Sequence, residues 1–300
     1  MTRKIPPSRF WRNILLISGL AGLTVVIVLA SYIVVLAAQA AEKSMTPPRV
    51  PVNLTPHDVG ITDYIDISFM TSDGVTLKGW YISPSSDNGT VIILAHGYAH
   101  NRLMLLPEAQ LLSKNGYGVL LFDFRGHGES GSAPVTFGDH ERSDLEAAID
   151  FAIAQPNISE VGAIGFSMGA ATLAQVAVQD NRLSAVIIES AYPTLEDEIA
   201  YRSRAFGILS QWPAFWVMYQ AGVNVSGVRP SDNLCAINPR SLLMIYGELD
   251  TAIPPGTVQT MRNAICAPEE LWVVNGAGHQ NFMEVAPKAY TDRLLSFFGK

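Results

Sequence analysis

Only two cysteines occur in the 300 residues, Cys235 and Cys266, and two thiols alone cannot build a zinc site. Charge is sparse as well: Asp, Glu, Lys and Arg make up 16% of the chain, with a net charge of −7. Past the first dozen residues no basic cluster appears, which removes the electrostatic footprint of a nucleic-acid binder. No segment repeats, so stacked-repeat architectures drop out. The one long uncharged stretch, Ile14 to Ala38, is built mainly from Leu, Ile, Val and Ala.

As a helix, that stretch spans roughly 37 Å, enough to cross a hydrocarbon core of about 30 Å with some tilt. Arg3, Lys4, Arg9 and Arg12 precede it without an acidic residue among them, so the N-terminus is expected in the cytoplasm and the remainder across the membrane. A cleaved signal peptide is the competing reading, because Ala38-Gln39-Ala40 resembles a cleavage site. An apolar region of about 7–15 residues is usual for such peptides, and this one is longer. The organisation expected is a cytoplasmic stub (1–13), a transmembrane helix (14–38), a Pro-, Thr- and Ser-containing tether (39–60) and one α/β domain (61–300). In an exported domain Cys235 and Cys266 could be oxidised, since each precedes an apolar strand and parallel neighbouring strands would bring them together. Two unpaired buried thiols are the alternative.

Tyr64 to Met70 and Val75 to Ser83 alternate like strands about the turn Ser72-Asp73-Gly74. Apolar strand-like runs follow at Val91–Ala95, Val119–Phe122, Val161–Gly165, Ala185–Glu189, Leu242–Tyr246 and Leu271–Val274. Helical patterns separate most of them, as at Leu105–Asn115, Glu141–Ala154 and Ala170–Gln179. That order predicts a mostly parallel sheet of about eight strands covered on both faces, with its site at the strands' carboxyl ends.

Gly165-Phe166-Ser167-Met168-Gly169 joins one such strand to a helix. Small residues flanking a sharp turn there would lift the Ser167 hydroxyl above the sheet edge, as a nucleophile needs. A serine also needs a base. His279, in Asn275-Gly276-Ala277-Gly278-His279, follows the last strand; Asp250, in Gly247-Glu248-Leu249-Asp250, follows the one before it. Asp250 has room to turn toward His279 and hold its tautomer, whereas the competing Glu248 sits two residues nearer the strand. The backbone N–H groups of Met168 and Tyr98 are the expected oxyanion donors, Tyr98 lying in the loop Ala95-His96-Gly97-Tyr98-Ala99-His100. His96 is expected to brace that loop. No carboxylate or cysteine joins His96 and His100 at metal-ligand spacing, so no metal and no cofactor are expected.

The chain resembles the α/β-hydrolase superfamily, in its serine-aminopeptidase-like and prolyl-oligopeptidase-like branch, from about Tyr64 onward. The likeness rests on His96-Gly97, Asp123-Phe124-Arg125-Gly126-His127-Gly128-Glu129-Ser130, the serine turn, Gly247-Glu248-Leu249-Asp250 and Gly278-His279. It implies an α/β-hydrolase fold, loop-fixing roles for Asp123, Arg125 and His127, and a cap inserted at about 193–234. Tyr246 stands where many relatives carry His.

The cap is aromatic, and Phe206, Trp212, Phe215 and Trp216 are expected either to pack it down, to line an apolar acyl pocket or to touch the membrane. The function expected is a membrane-anchored serine hydrolase acting through an acyl-enzyme on Ser167. Ester bonds with an apolar, lipid-like acyl part are favoured, with thioester or amide bonds and an aminopeptidase-like activity as alternatives. A non-catalytic binding module on the same fold is the reading from another class.

Overall fold

Val91 to Leu94 carry four consecutive aliphatic side chains, and each is fully buried because helices cover both faces of the strand they form. The computed structural model describes residues 9–85, 88–232, 234–267 and 271–299; Arg3 and Lys4 lie outside them. A long helix α1 (Arg9–Ser44) leads into a hairpin of β1 (Ile65–Met70) and β2 (Thr76–Ile82). Then follow β3 (Thr90–Ala95), α2 (Leu106–Lys114), β4 (Gly118–Phe122), α3 (Glu141–Ile153), β5 (Glu160–Phe166), α4 (Met168–Gln179) and β6 (Leu183–Glu189). The cap contributes α5 (Leu195–Arg202) and α6 (Ile208–Gln220). The chain closes with β7 (Ser241–Gly247), α7 (Thr257–Ala264), β8 (Leu271–Val274), α8 (Phe282–Val285) and α9 (Pro287–Phe298).

The eight strands run in the order β1-β2-β4-β3-β5-β6-β7-β8. Only β2 opposes its neighbours; β4 through β8 are parallel. Side-chain alternation divides the core into two layers. Val91, Ile93 and Ala95 meet Leu145 of α3 and Ala174 of α4, while Ile92 and Leu94 meet Leu112 of α2 and Leu294 of α9. Each such aliphatic side chain contributes about 1.5–3 kcal/mol through burial, which fixes the strand order against thermal disorder. This is the α/β-hydrolase fold that the resemblance implies.

α1 is long and apolar enough to cross a membrane, and its most apolar window is entirely exposed. Its final turns behave differently, for they pack along α6, and Ala41 and Met45 are buried. The following segment is held against the body rather than hanging as a loose tether. Val135 N–H donates to Met45 O at 2.8 Å, Arg49 reaches the carbonyls of Gly128 and Ser130, and Asn101 donates to Val50 O. Cys235 and Cys266 are joined as a disulfide with Cα atoms 5.2 Å apart, which ties the segment before β7 to that before β8.

Candidate active site

Ser167 stands between β5 and α4 with φ +51° and ψ −113°, a backbone region that L-residues avoid. The turn is tight because β5 and α4 almost touch at their junction. A β-carbon on Gly165 would lie 2.6 Å from Gly169 O, and one on Gly169 would lie 2.2 Å from Ala95 O. Only glycine fits at either place. Ser167 N–H donates to Glu189 O at 2.8 Å, which pins the turn to the end of β6.

His279 Nε2 lies 3.1 Å from Ser167 Oγ, and His279 Nδ1 lies 2.8 Å from Asp250 Oδ2. The Asp250 side chain is 1% exposed and that of His279 21%. Asp250 Oδ1 accepts from Ala252 N–H, Ser190 Oγ donates to His279 O, and the imidazole meets the Phe166 ring edge-on at 4.9 Å. Both loops leave neighbouring parallel strands and are stitched together, as Glu248 N–H donates to Val274 O and Leu249 N–H to Ala277 O, while Gly278 N–H donates to Asn281 Oδ1 within the histidine loop. Glu248 instead accepts from Gly276 N–H at 3.0 Å, so it braces the histidine loop from outside. Sequence-adjacent acids thus take separate tasks.

Among the described residues, neither Tyr98 N–H nor Met168 N–H has a protein acceptor, and Met168 opens α4, where the helix dipole favours negative charge. The loop carrying Tyr98 is fixed from below. His96 accepts from Phe124 N–H at 3.0 Å and His127 accepts from Ala99 N–H at 3.0 Å. Burial holds both imidazoles below the usual histidine range, which keeps a ring nitrogen free to accept. Arg125 forks onto Asp73 and Asp144, and Asp123 accepts from the N–H groups of Arg102 and Glu129. Tyr246 donates to Ala191 O and takes no part in the serine constellation.

The cap places its aromatics differently from the expectation of an aromatic-lined pocket. A cavity of about 600 Å³ lies between α1, α5, α6 and Tyr98; of the four cap aromatics Phe206 alone lines it. The helical repeat of α6 turns Ser210, Ala214 and Met218 inward, so Trp212 and Trp216 stack on the outer face at 57% and 49% exposure. Phe215 packs against the core. Two further groups are not evident from motifs. Glu198 is buried beside this cavity, paired with Arg202 through Oε1 while Oε2 has no partner among the described residues. Its spacing with Leu195, Ile199 and Arg202 is the signal, because those four positions share one helical face. Behind Phe166, Glu108 and Glu189 lie buried around the Tyr290 hydroxyl, and burial pushes them up to about 7 and about 8.

A family model described as alpha/beta hydrolase fold matches residues 90–221. Among solved structures, an esterase of Pyrococcus furiosus, Pf2001, is 30% identical, with a TM-score of 0.68 over 86% of this chain and 97% of that one. The Bacillus subtilis protein YqkD is 27% identical over 69% of this chain and 70% of its own length. The thiohydrolase aneE of Aspergillus aculeatus is 34% identical over 44% of this chain and 42% of its own.

Proposed function

The chain belongs to the alpha/beta-hydrolase fold family, and on that premise we propose that it is a membrane-anchored serine hydrolase of carboxylic esters with an apolar acyl part. One observation carries the reading: a strained Ser167 in line with His279 and Asp250, at 3.1 and 2.8 Å, beneath two uncommitted N–H groups. Esterase activity in the P. furiosus relative and thiohydrolase activity in the Aspergillus one accord with acyl transfer from oxygen or sulfur.

Ser167 Oγ attacks the carbonyl carbon while its proton passes to His279 Nε2. Tyr98 and Met168 N–H donate to the oxyanion, contributing several kcal/mol. Asp250 holds the Nδ1–H tautomer and stabilises the imidazolium. His279 then returns the proton to the departing alcohol. Water, deprotonated by the same nitrogen, releases the acid and restores Ser167. The apolar helix α1 supports anchoring, with Arg9 and Arg12 on the cytoplasmic side.

Covalent labelling of the full-length protein by an alkyl fluorophosphonate, absent in Ser167→Ala, tests the assignment. A folded wild-type chain that takes no label overturns it. Rates on an ester series of rising acyl length, beside thioester and aminoacyl amide panels, then decide the bond; faster cleavage of amides than esters of equal length would replace the esterase by a peptidase.

A further inference from the structure

Three aromatic residues mark α1 at a telling separation. Phe10 and Trp11 stand exposed near its start and Tyr32 lies further along; the 21 residues from Trp11 to Tyr32 rise about 31 Å, the thickness of a hydrocarbon core. From Arg9 to Ser31 nearly every side chain is exposed, whereas from Tyr32 onward the helix packs against the cap. Beyond the membrane face, therefore, the anchor helix continues into the hydrolase domain.

The cavity begins where the span ends. Tyr32 lines its outer rim, and Leu36, Ala37 and Ala40 continue along one face of α1 opposite Leu195 and Ile199 of α5. Tyr98 also lines it, and its neighbour Gly97 lies so near the serine that an added β-carbon would stand 3.4 Å from Ser167 Cβ. Glu198 lines the cavity as well and, among the described residues, its buried Oε2 has no partner. The cavity's volume suits a ligand-sized guest, and its walls are mostly apolar, with Ser44, Glu198, Arg202, Ser203 and Ser210 as polar exceptions. Outside, Ile208, Trp212, Trp216 and Tyr219 form an exposed apolar face on the same cap, the composition of a surface resting in a bilayer interface.

We propose that the cavity between α1 and the cap is a channel for one long acyl chain, entered from the outer leaflet, so that the anchor helix is itself a wall of the acyl site and the substrates are long-chain esters drawn from the membrane. This rests on the serine-hydrolase reading above. It makes the anchor part of the specificity of the enzyme: the small side chains Ala37 and Ala40 leave the space that the chain fills, and a larger residue there closes it. The unpartnered oxygen of Glu198 is left to receive a polar group at the ester end.

The test uses the full-length protein in phosphatidylcholine vesicles and the ratio of labelling rates by hexadecyl and ethyl fluorophosphonate. In each reaction Ser167 Oγ forms the bond to phosphorus, fluoride leaves and His279 takes the proton. Ala40→Trp, and independently Ala205→Trp from the cap wall, should lower the long-to-short ratio tenfold or more, while Leu29→Trp on the lipid-facing part of α1 leaves it unchanged. Equal ratios in wild type and both cavity variants overturn the channel while leaving the serine-hydrolase reading intact. Absence of label with either reagent in wild type overturns both.

Discussion

A β-carbon on Gly247 would stand 2.0 Å from Gly278 O, so the end of β7 and the histidine loop are in backbone contact. That approach lets Leu249 N–H reach Ala277 O and sets Asp250 beside His279. Gly247→Ala should push the two loops apart. Misplacement of about 1 Å at a reacting group costs on the order of 100-fold, so kcat should fall by that factor while KM for short esters moves little. Fluorophosphonate labelling rates and ester kinetics, with circular dichroism to verify folding, check this; wild-type kcat in the folded variant would show the contact to be irrelevant.

Asp250→Asn retains a side chain of the same shape but favours the wrong imidazole tautomer, and kcat should drop by about 10³–10⁴-fold. Glu248→Gln, which alters only the outer brace at Gly276, should stay within about tenfold of wild type. A comparable loss in both variants would move the acid role away from Asp250.

The buried acids behind Phe166 make stability depend on pH with a defined sign. Glu108 and Glu189 hold protons in the folded state up to about 7 and about 8, whereas their ordinary value is 4.5. Between those limits the folded state binds more protons than the unfolded one, so stability falls as pH rises. The loss should be complete above about pH 8. Glu189→Gln removes one ionisation, and its Tm should decline between about pH 5.5 and 8.5 by at least ~3 °C less than that of wild type. Differential scanning calorimetry across that range decides it; parallel curves would mean that the pair does not titrate there.

Reduction of Cys235–Cys266, which closes a sequence separation of 31, should lower stability by about 2–4 kcal/mol by freeing the unfolded chain. Thermal melts with and without reductant, beside Cys235→Ser/Cys266→Ser, measure it. Because the bridge lies outside the Ser167 environment, labelling of the reduced, still folded protein should persist.

Strand positions were legible because continuous aliphatic runs have few alternatives once helical patterns separate them, and each matched the structure to within about two residues. The order Ser167, Asp250, His279 was legible for a similar reason: each residue follows a strand, and parallel strands deliver their carboxyl ends to one edge. Helix α1 was legible as apolar and long, but not as a partner of α6, which lies more than 160 residues later in the chain. The cap aromatics left three alternatives open in the sequence for a related reason: composition gives their number, while the phase of α6 decides which of them face inward. Glu108, Glu189 and Tyr290 carry no motif, since three distant segments make that cluster.

The sequence by itself therefore determined the sheet, the serine turn and the chain order of acid and base, because local periodicity and steric demands on glycine act over a few residues. Only the tertiary structure decided that the apolar helix α1 flanks a cavity beside Tyr98, that Trp212 and Trp216 face outward and that two carboxylates share a buried site. Those relationships are contacts across large sequence separations, and burial, which sets them, exists only once the chain has packed.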